Sequence, residues 1–338
     1  MTTIRMGIDI AKNVFQIHGV DSQGKITLRK RIKRQGLLKE LANIRPCLIG
    51  MEACASSHYW ARAISSLGHD VKLMAAQFVC PYRKNEKNDG NDAEAICEAV
   101  SRPNMRFVNI KTVEQQAILT VHRARSLLVE ERTALVNQIR GLLGEHGIVV
   151  ACGIDKLRRA LPAILEDAEN ELCDLVRTVI GEQWERLKLF DQRISGYDQQ
   201  IQALANSNQA AKRLCEIEGI GAITATAIVA SIGDGKTFNN GRQLAAWLGL
   251  VPRQRSSGNK NRLGRITKRG DVYLRTLLIH GSRSVLRVTA KRTDRKSRWV
   301  EELKARRGYN KAAVALAAKQ ARVIWAMLSR GEAYRVAA

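Results

Sequence analysis

With 338 residues, 45% of them hydrophobic and 26% charged, the chain can bury a sizeable core in two or more domains, which excludes a disulfide-stapled mini-protein and wholesale disorder. Its unusual property is charge: 56 Lys and Arg against 32 Asp and Glu leave +24, a surplus that selects a polyanionic partner. Residues 252–338 hold 23 of the basic and 5 of the acidic side chains, a net +18, and the rest of the chain carries only +6.

Residues 4–10, 13–20 and 25–30 read as three strands in succession, the last two joined by the turn Asp21-Ser22-Gln23-Gly24, and predict an antiparallel meander. A fourth apolar strand spans Cys47 to Glu52. A helix from Ser57 to Leu67 follows, stopped by Gly68, then a strand from Asp70 to Ala75. A further helix is predicted from about Asp92 to Ser101, before Arg102-Pro103 breaks it. This succession of strands and helices predicts a mixed α/β domain over residues 1–108.

Residues 109–205 change character and predict a helical, coiled-coil-like spacer. Ile118, Val121, Leu128, Leu135, Ile139 and Leu142 form one helical stripe. Leu187, Phe190, Ile194, Tyr197, Ile201 and Leu204 form a second with heptad spacing. The heptad set fits pairing between chains and packing within one chain equally well. Residues 206–338 are expected to be a basic, mainly helical domain. It opens with Gly219-Ile220-Gly221 before a small-residue helix, a weak helix-hairpin-helix pattern whose turn amides can approach a phosphate. Tyr273, Trp299, Tyr309 and Trp325 interleave the basic residues, which favours nucleic acid over a bare solvated face. No uninterrupted apolar run approaches the roughly 18 residues of a membrane span. The seven cysteines, at 47, 54, 80, 97, 152, 173 and 215, include no C-x-x-C pair, and Met1–Lys12 has no leader character. Both point to a cytoplasmic protein with reduced thiols, most of them filling small core positions.

Four acids stand out as candidate metal ligands. Asp9 lies inside an apolar strand and Glu52 ends another, positions where an ionised carboxylate calls for a cationic partner. Asp89 and Asp92 are three apart at a predicted helix start, a spacing that can direct both to one face. Together the four could hold one or two Mg²⁺ ions, hard cations that prefer oxygen donors and can stabilise an in-line displacement at phosphorus. A strand meander with an Asp, a later strand with a Glu and a helix with an Asp is the arrangement of ribonuclease-H-like nucleases.

The motifs Gly7-Ile8-Asp9-Ile10-Ala11-Lys12, Met51-Glu52-Ala53 and Asp89-Gly90-Asn91-Asp92-Ala93 resemble the DEDD transposases of a large insertion-sequence family, related to the Piv DNA invertases and known as bridge-RNA-guided recombinases. The likeness continues in Trp247-Leu248-Gly249-Leu250-Val251-Pro252-Arg253, in Ser257-Gly258, and in Lys268-Arg269-Gly270-Asp271-Val272-Tyr273-Leu274-Arg275. It implies a domain like the Holliday-junction resolvases, bearing Asp9, Glu52, Asp89 and Asp92, joined by a helical spacer to a transposase domain with a serine nucleophile. By motif match that serine is Ser257, with Ser256 beside it as the alternative. The resemblance further implies Mg²⁺, donor and target DNA, a structured bridge RNA as guide, and a homo-oligomer, dimer or tetramer, in which subunits share active sites. Arg253, Arg255, Lys260, Arg262, Arg265, Lys268, Arg269 and Arg275 surround the serine and are the candidate nucleic-acid contacts. Two other readings remain, a resolvase-type endonuclease that uses water and a nucleic-acid-binding protein without catalysis.

Overall fold

The computed structural model describes residues 2–83, 89–258 and 260–334; of Asp89 it describes the backbone alone. The chain divides into two compact units, Met1–Thr112 and Val113–Ala338.

The first unit is built on strands β1 (Arg5–Ile10), β2 (Val14–Val20) and β3 (Ile26–Lys33), helix α1 (Leu37–Ala42) and strand β4 (Leu48–Glu52). Helix α2 (Ser57–Ser65), strand β5 (Asp70–Met74), helices α3 (Ala76–Val79) and α4 (Asp89–Val100) and strand β6 (Phe107–Val108) complete it. One six-stranded sheet results, in the order β3-β2-β1-β4-β5-β6. The expected meander is present: β1 and β2, and β2 and β3, pair antiparallel, and Asp21 closes their turn by accepting from the amides of Gln23 and Lys25. β4 lies parallel to β1, β5 parallel to β4, and the short β6 runs antiparallel to β5. β3 extends to Lys33, three residues past its expected end, because β2 continues to pair with it through Val14 and Lys33. Helix α4 begins three residues earlier than expected, at Asp89.

The two faces of this sheet are covered differently. On one, Met6, Ile8, Phe15, Ile17, Ile49 and Met51 alternate inward and pack against Trp60, Ala61 and Ile64 of α2. On the other, Gly7 and Gly50 stand side by side in the parallel register of β1 and β4. A Cβ at Gly7 would lie 2.2 Å from the Ala93 carbonyl oxygen, and one at Gly50 would lie 2.8 Å from the Val100 Cβ. The missing side chains let α4 lie directly on the strands. The run of contacts fixes its direction: Arg5 bonds the region of Cys97 and Glu98, and Gly7 meets Ala93 and Cys97. Hence α4 runs antiparallel to β1, with its N-terminus at the carboxyl ends of β1 and β4.

The second unit begins with the long helix α5 (Val113–Glu145), then α6 (Ile154–Glu166), α7 (Asp174–Ser207), α8 (Gln209–Leu214), α9 (Ala222–Ile232) and α10 (Gly241–Trp247). A two-stranded ribbon, β7 (Pro252–Gln254) and β8 (Leu263–Ile266), leads to α11 (Val272–Leu286), α12 (Arg295–Arg307) and α13 (Tyr309–Arg330). The heptad stripe of α7 is largely buried inside the chain: Leu187 and Phe190 pack, beside Ile180, with Leu135, Val136, Ile139 and Leu143 of α5 and with Leu157 and Leu161 of α6, Ile194 and Ile201 are buried, and Tyr197 and Leu204 are half-buried. Intrachain packing therefore accounts for the pattern that pairing between chains fitted equally well. In α5 the stripe ends on Leu143, fully buried, and not on the expected Leu142, which is exposed, since a step of four from Ile139 keeps to the buried face. Among the described residues, all seven cysteines are free thiols. Only Cys47 and Cys97 are buried, which corrects the expectation that most fill the core.

A buried polar contact ties α5, α9 and α11 together. His122, 1% exposed, has one ring nitrogen 3.0 Å from the Tyr273 hydroxyl and the other 3.0 Å from the Thr226 hydroxyl. Burial first, and the Arg125 charge second, push its pKa down to about 4. The neutral ring is the native form, so as pH falls the unfolded chain takes up this proton first. The stability held here is complete above about 6.5 and is lost between there and about 4, a difference of roughly 3 kcal/mol. His122→Gln is expected to flatten this part of the pH dependence in urea unfolding between pH 7 and 4.5. An equal acid response in both proteins would reject the assignment.

Candidate active site

Asp9, Glu52 and Asp92 lie at one end of the sheet, where the central strands β1 and β4 finish and α4 begins. Asp9 and Glu52 are two residues beyond Gly7 and Gly50, so they share the face on which α4 lies. They follow the last registered pair, Ile8 with Met51, on strands about 4.8 Å apart. The thiol of Cys54 reports on both: burial, then the Glu52 charge, then that of Asp9, push its pKa up. Asp92 sits in the first turn of α4, at the same strand ends. Its Oδ1 accepts from Arg83 Nη1 at 3.2 Å, and the Asp92 side chain is 18% exposed. The side chain of Asp89 lies outside the described residues.

Oxygen donors from two strand ends and a helix start are the donor chemistry of a hard divalent cation. Among the described residues, no three His, Cys, Asp or Glu side chains close on a common point, and Arg83 holds Asp92. The two strand carboxylates are thus placed together, and Asp92 is engaged by a cation of the protein's own.

The serine expected as nucleophile lies on the ribbon of the second unit. β7 and β8 pair antiparallel, the amide of Arg255 bonds the Arg262 carbonyl, and Ser257 bridges to Lys260 across the tip, where Gly258 turns with φ +55°. Strand alternation sorts the side chains onto two faces. Gln254, Ser256, Asn261 and Leu263 share one, and their hydrogen bonds show it: Gln254 Nε2 donates to Ser256 Oγ at 3.0 Å, and Ser256 Oγ bonds Asn261 Oδ1 at 3.1 Å. Arg253, Arg255, Ser257, Lys260 and Arg262 share the other. Ser256 and Ser257, equivalent in the sequence, therefore differ. The Ser256 hydroxyl is fixed in an amide network, and the Ser257 hydroxyl makes no hydrogen bond among the described residues and stands exposed among four cations.

The remaining basic candidates fall into two kinds. Arg265, Lys268 and Arg269 are exposed. Lys268 holds a left-handed conformation, φ +55°, unusual for a side-chain-bearing residue. The loop around it is locked: a Cβ at Gly270 would come within 1.9 Å of the Trp247 carbonyl oxygen, and one at Gly249 within 2.4 Å of that of Arg269. Arg275 departs from expectation. It is 7% exposed, and its Nη1 donates to the carbonyls of Leu248 at 3.1 Å and Arg269 at 2.8 Å. A guanidinium spent on two backbone carbonyls holds this loop and does not face a partner. Aromatic residues of the basic segment also serve the fold: Tyr273 bonds His122, and Trp325 Nε1 donates to the Phe238 carbonyl at 2.8 Å.

The Gly219-Ile220-Gly221 turn has a definite place. Gly219, φ +83°, meets Gly281 backbone to backbone, and the uncapped start of α9 opens into a groove of about 660 Å³ lined by Arg283, Arg287, His280 and the Arg125–Asp198 pair. This groove contains none of the expected catalytic residues.

Two protein-family models match the chain. A DEDD transposase model covers residues 6–148, and the model described as transposase IS116/IS110/IS902 family covers residues 211–297. The chain is 50% identical to a probable family 20 transposase of Pseudomonas aeruginosa, across 99% of both chains. It is 45% identical to the transposase for insertion sequence element IS1111A of Coxiella burnetii, across 98% of this chain and 92% of that one. With the transposase for insertion sequence element IS1328 of Yersinia enterocolitica it shares 40% identity, across 97% and 98% respectively.

Proposed function

Since the chain belongs to the IS116/IS110/IS902 family of insertion-sequence transposases, we propose that it cuts and rejoins DNA through a covalent phosphoserine intermediate formed by Ser257. The observation that carries this reading is the ribbon: an exposed hydroxyl, without a hydrogen bond among the described residues, on a face made of Arg253, Arg255, Lys260 and Arg262. In the reaction the Ser257 Oγ–P bond forms as one backbone P–O bond of DNA breaks, and the serine proton passes to the departing hydroxyl. Attack by the hydroxyl of the second DNA strand reverses these changes and frees the serine, so the phosphodiester energy is kept and no high-energy cofactor is needed. The neighbouring cations hold the phosphate and stabilise charge on the five-coordinate phosphorus.

The first unit carries the second half of the chemistry in this reading. Its strand order of antiparallel meander followed by parallel strands supports a ribonuclease-H-like, resolvase-like fold. Asp9, Glu52, Asp89 and Asp92 would hold Mg²⁺, a role that requires Asp92 to leave Arg83. When bound, the ion supplies electrostatic stabilisation to the phosphoryl oxygens. Because serine and carboxylates belong to different units, active sites shared between subunits of a homo-oligomer fit the reading. A structured guide RNA would be an additional polyanion for the net +18 of the C-terminal segment.

Incubation with supercoiled element DNA, quenched in denaturant, tests the proposal. The wild-type protein is expected to remain attached to cut DNA. Cut DNA free of protein would assign the water-dependent endonuclease instead.

A further inference from the structure

The sheet carries a second charged feature on the same face as the carboxylates. Residues 25–34 contain six Lys or Arg and no acid. Within β3, alternation separates them. Lys30 points to the α1 face, where its ammonium pairs with Glu40 at 2.8 Å. Arg29, Arg31 and Lys33 point to the α4 face, all three exposed, and among the described residues none pairs with a carboxylate.

Register ties these three to the site. Arg31 pairs with Gln16 and Gln16 with Asp9, so Arg31 and Asp9 lie in one cross-strand row, two strand spacings or about 10 Å apart. Arg29, His18 and Gly7 form the next row, and Lys33 with Val14 lies beyond Asp9 on the other side. Helix α4 packs on β1, β2 and β4 on this face, and at the edge strand β3 the side chains of Arg29, Arg31 and Lys33 are exposed among the described residues. Three unpaired cations, about 6.8 Å apart along a straight strand, therefore flank the carboxylates on one side.

We propose that Arg29, Arg31 and Lys33 form a phosphate-binding rail that seats the DNA strand delivered to Asp9 and Glu52. The proposal rests on the reading that those carboxylates act on DNA, and it adds a contact surface outside the basic C-terminal segment. A negatively charged strand approaching two carboxylates is repelled by them. Cations fixed two strands away offset that repulsion and set the direction in which the strand crosses the sheet. Positive charge on an edge strand also discourages pairing with another sheet, the simpler role such residues can have.

The test uses the full chain and short duplex DNA without divalent metal, so it does not depend on the serine or on cleavage. The triple variant Arg29→Gln, Arg31→Gln, Lys33→Gln is expected to lower the slope of log affinity against log salt by about 2 to 3, near 0.9 per lost phosphate contact. Arg29→Lys with Arg31→Lys should keep the slope. Lys39→Gln, Arg45→Gln, Arg106→Gln removes as much charge elsewhere in the unit and should leave the slope unchanged. An unchanged slope in the first variant, with new self-association on gel filtration, overturns the rail in favour of edge protection. So does a slope that falls for RNA of equal length and not for DNA. A lowered slope in a protein that forms no covalent adduct would uphold the rail and reject the serine mechanism.

Discussion

Ser257→Ala abolishes the covalent protein–DNA adduct and lowers strand transfer at least about 10³-fold, while Ser256→Ala keeps the adduct: this pair of results is what the ribbon leads us to expect. The two hydroxyls are neighbours in the chain but stand on opposite faces. Removing the Ser257 Oγ deletes no hydrogen bond among the described residues and touches no core, so stability should change by less than about 0.5 kcal/mol. DNA binding should persist, because Arg253, Arg255, Lys260 and Arg262 remain. Ser256→Ala removes the group that bonds Asn261 and accepts from Gln254, loosening an exposed network worth about 1 kcal/mol. Its activity should fall by no more than about tenfold, through poorer placement of the tip. Denaturing gels with labelled DNA separate the outcomes, and an adduct retained in Ser257→Ala but lost in Ser256→Ala would exchange the two assignments.

What made this distinction invisible in the sequence is register. The string Ser256-Ser257-Gly258-Asn259 reads as a surface turn, and nothing in it says which residue opposes which. Once Arg255 is paired with Arg262 and Ser257 with Lys260, alternation assigns every side chain to a face. The first unit was more legible, since Asp9 interrupts one apolar strand, Glu52 ends another, and the meander follows from its turn residues. The rail on β3 escaped for two reasons. The strand reads as ending at residue 30, before Arg31 and Lys33, and a charge sum over residues 1–251 averages six local cations away. Arg275 misled in the opposite direction. It stands in a basic run, and only the approach of the Leu248 and Arg269 carbonyls reveals that its charge is spent internally. Gly7 and Gly50, the flat ground on which α4 rests, carry no signal by themselves and gain meaning only as a registered pair.

That registered pair is also why neutralising the carboxylates is informative. Asp9→Asn and Glu52→Gln each replace one of two neighbouring acids at the ends of β1 and β4 by a neutral group of nearly the same shape. If these acids served the fold, losing one would destabilise it. If they serve a cation, an amide of the same shape relieves the repulsion between the two neighbouring acids, and each variant should keep a metal-free stability close to that of the wild type. Cleavage should fall by at least about 10³-fold in either. The readout independent of catalysis is thermal stability against Mg²⁺ concentration. The wild type should gain stability as the ion binds the folded state alone, and both variants should lose most of that gain. Metal-free DNA binding should tighten, because one negative charge is removed from beside the path of the phosphates. Variants that unfold at lower temperature without metal would return Asp9 and Glu52 to a structural role. Variants that cleave normally would remove them from the site.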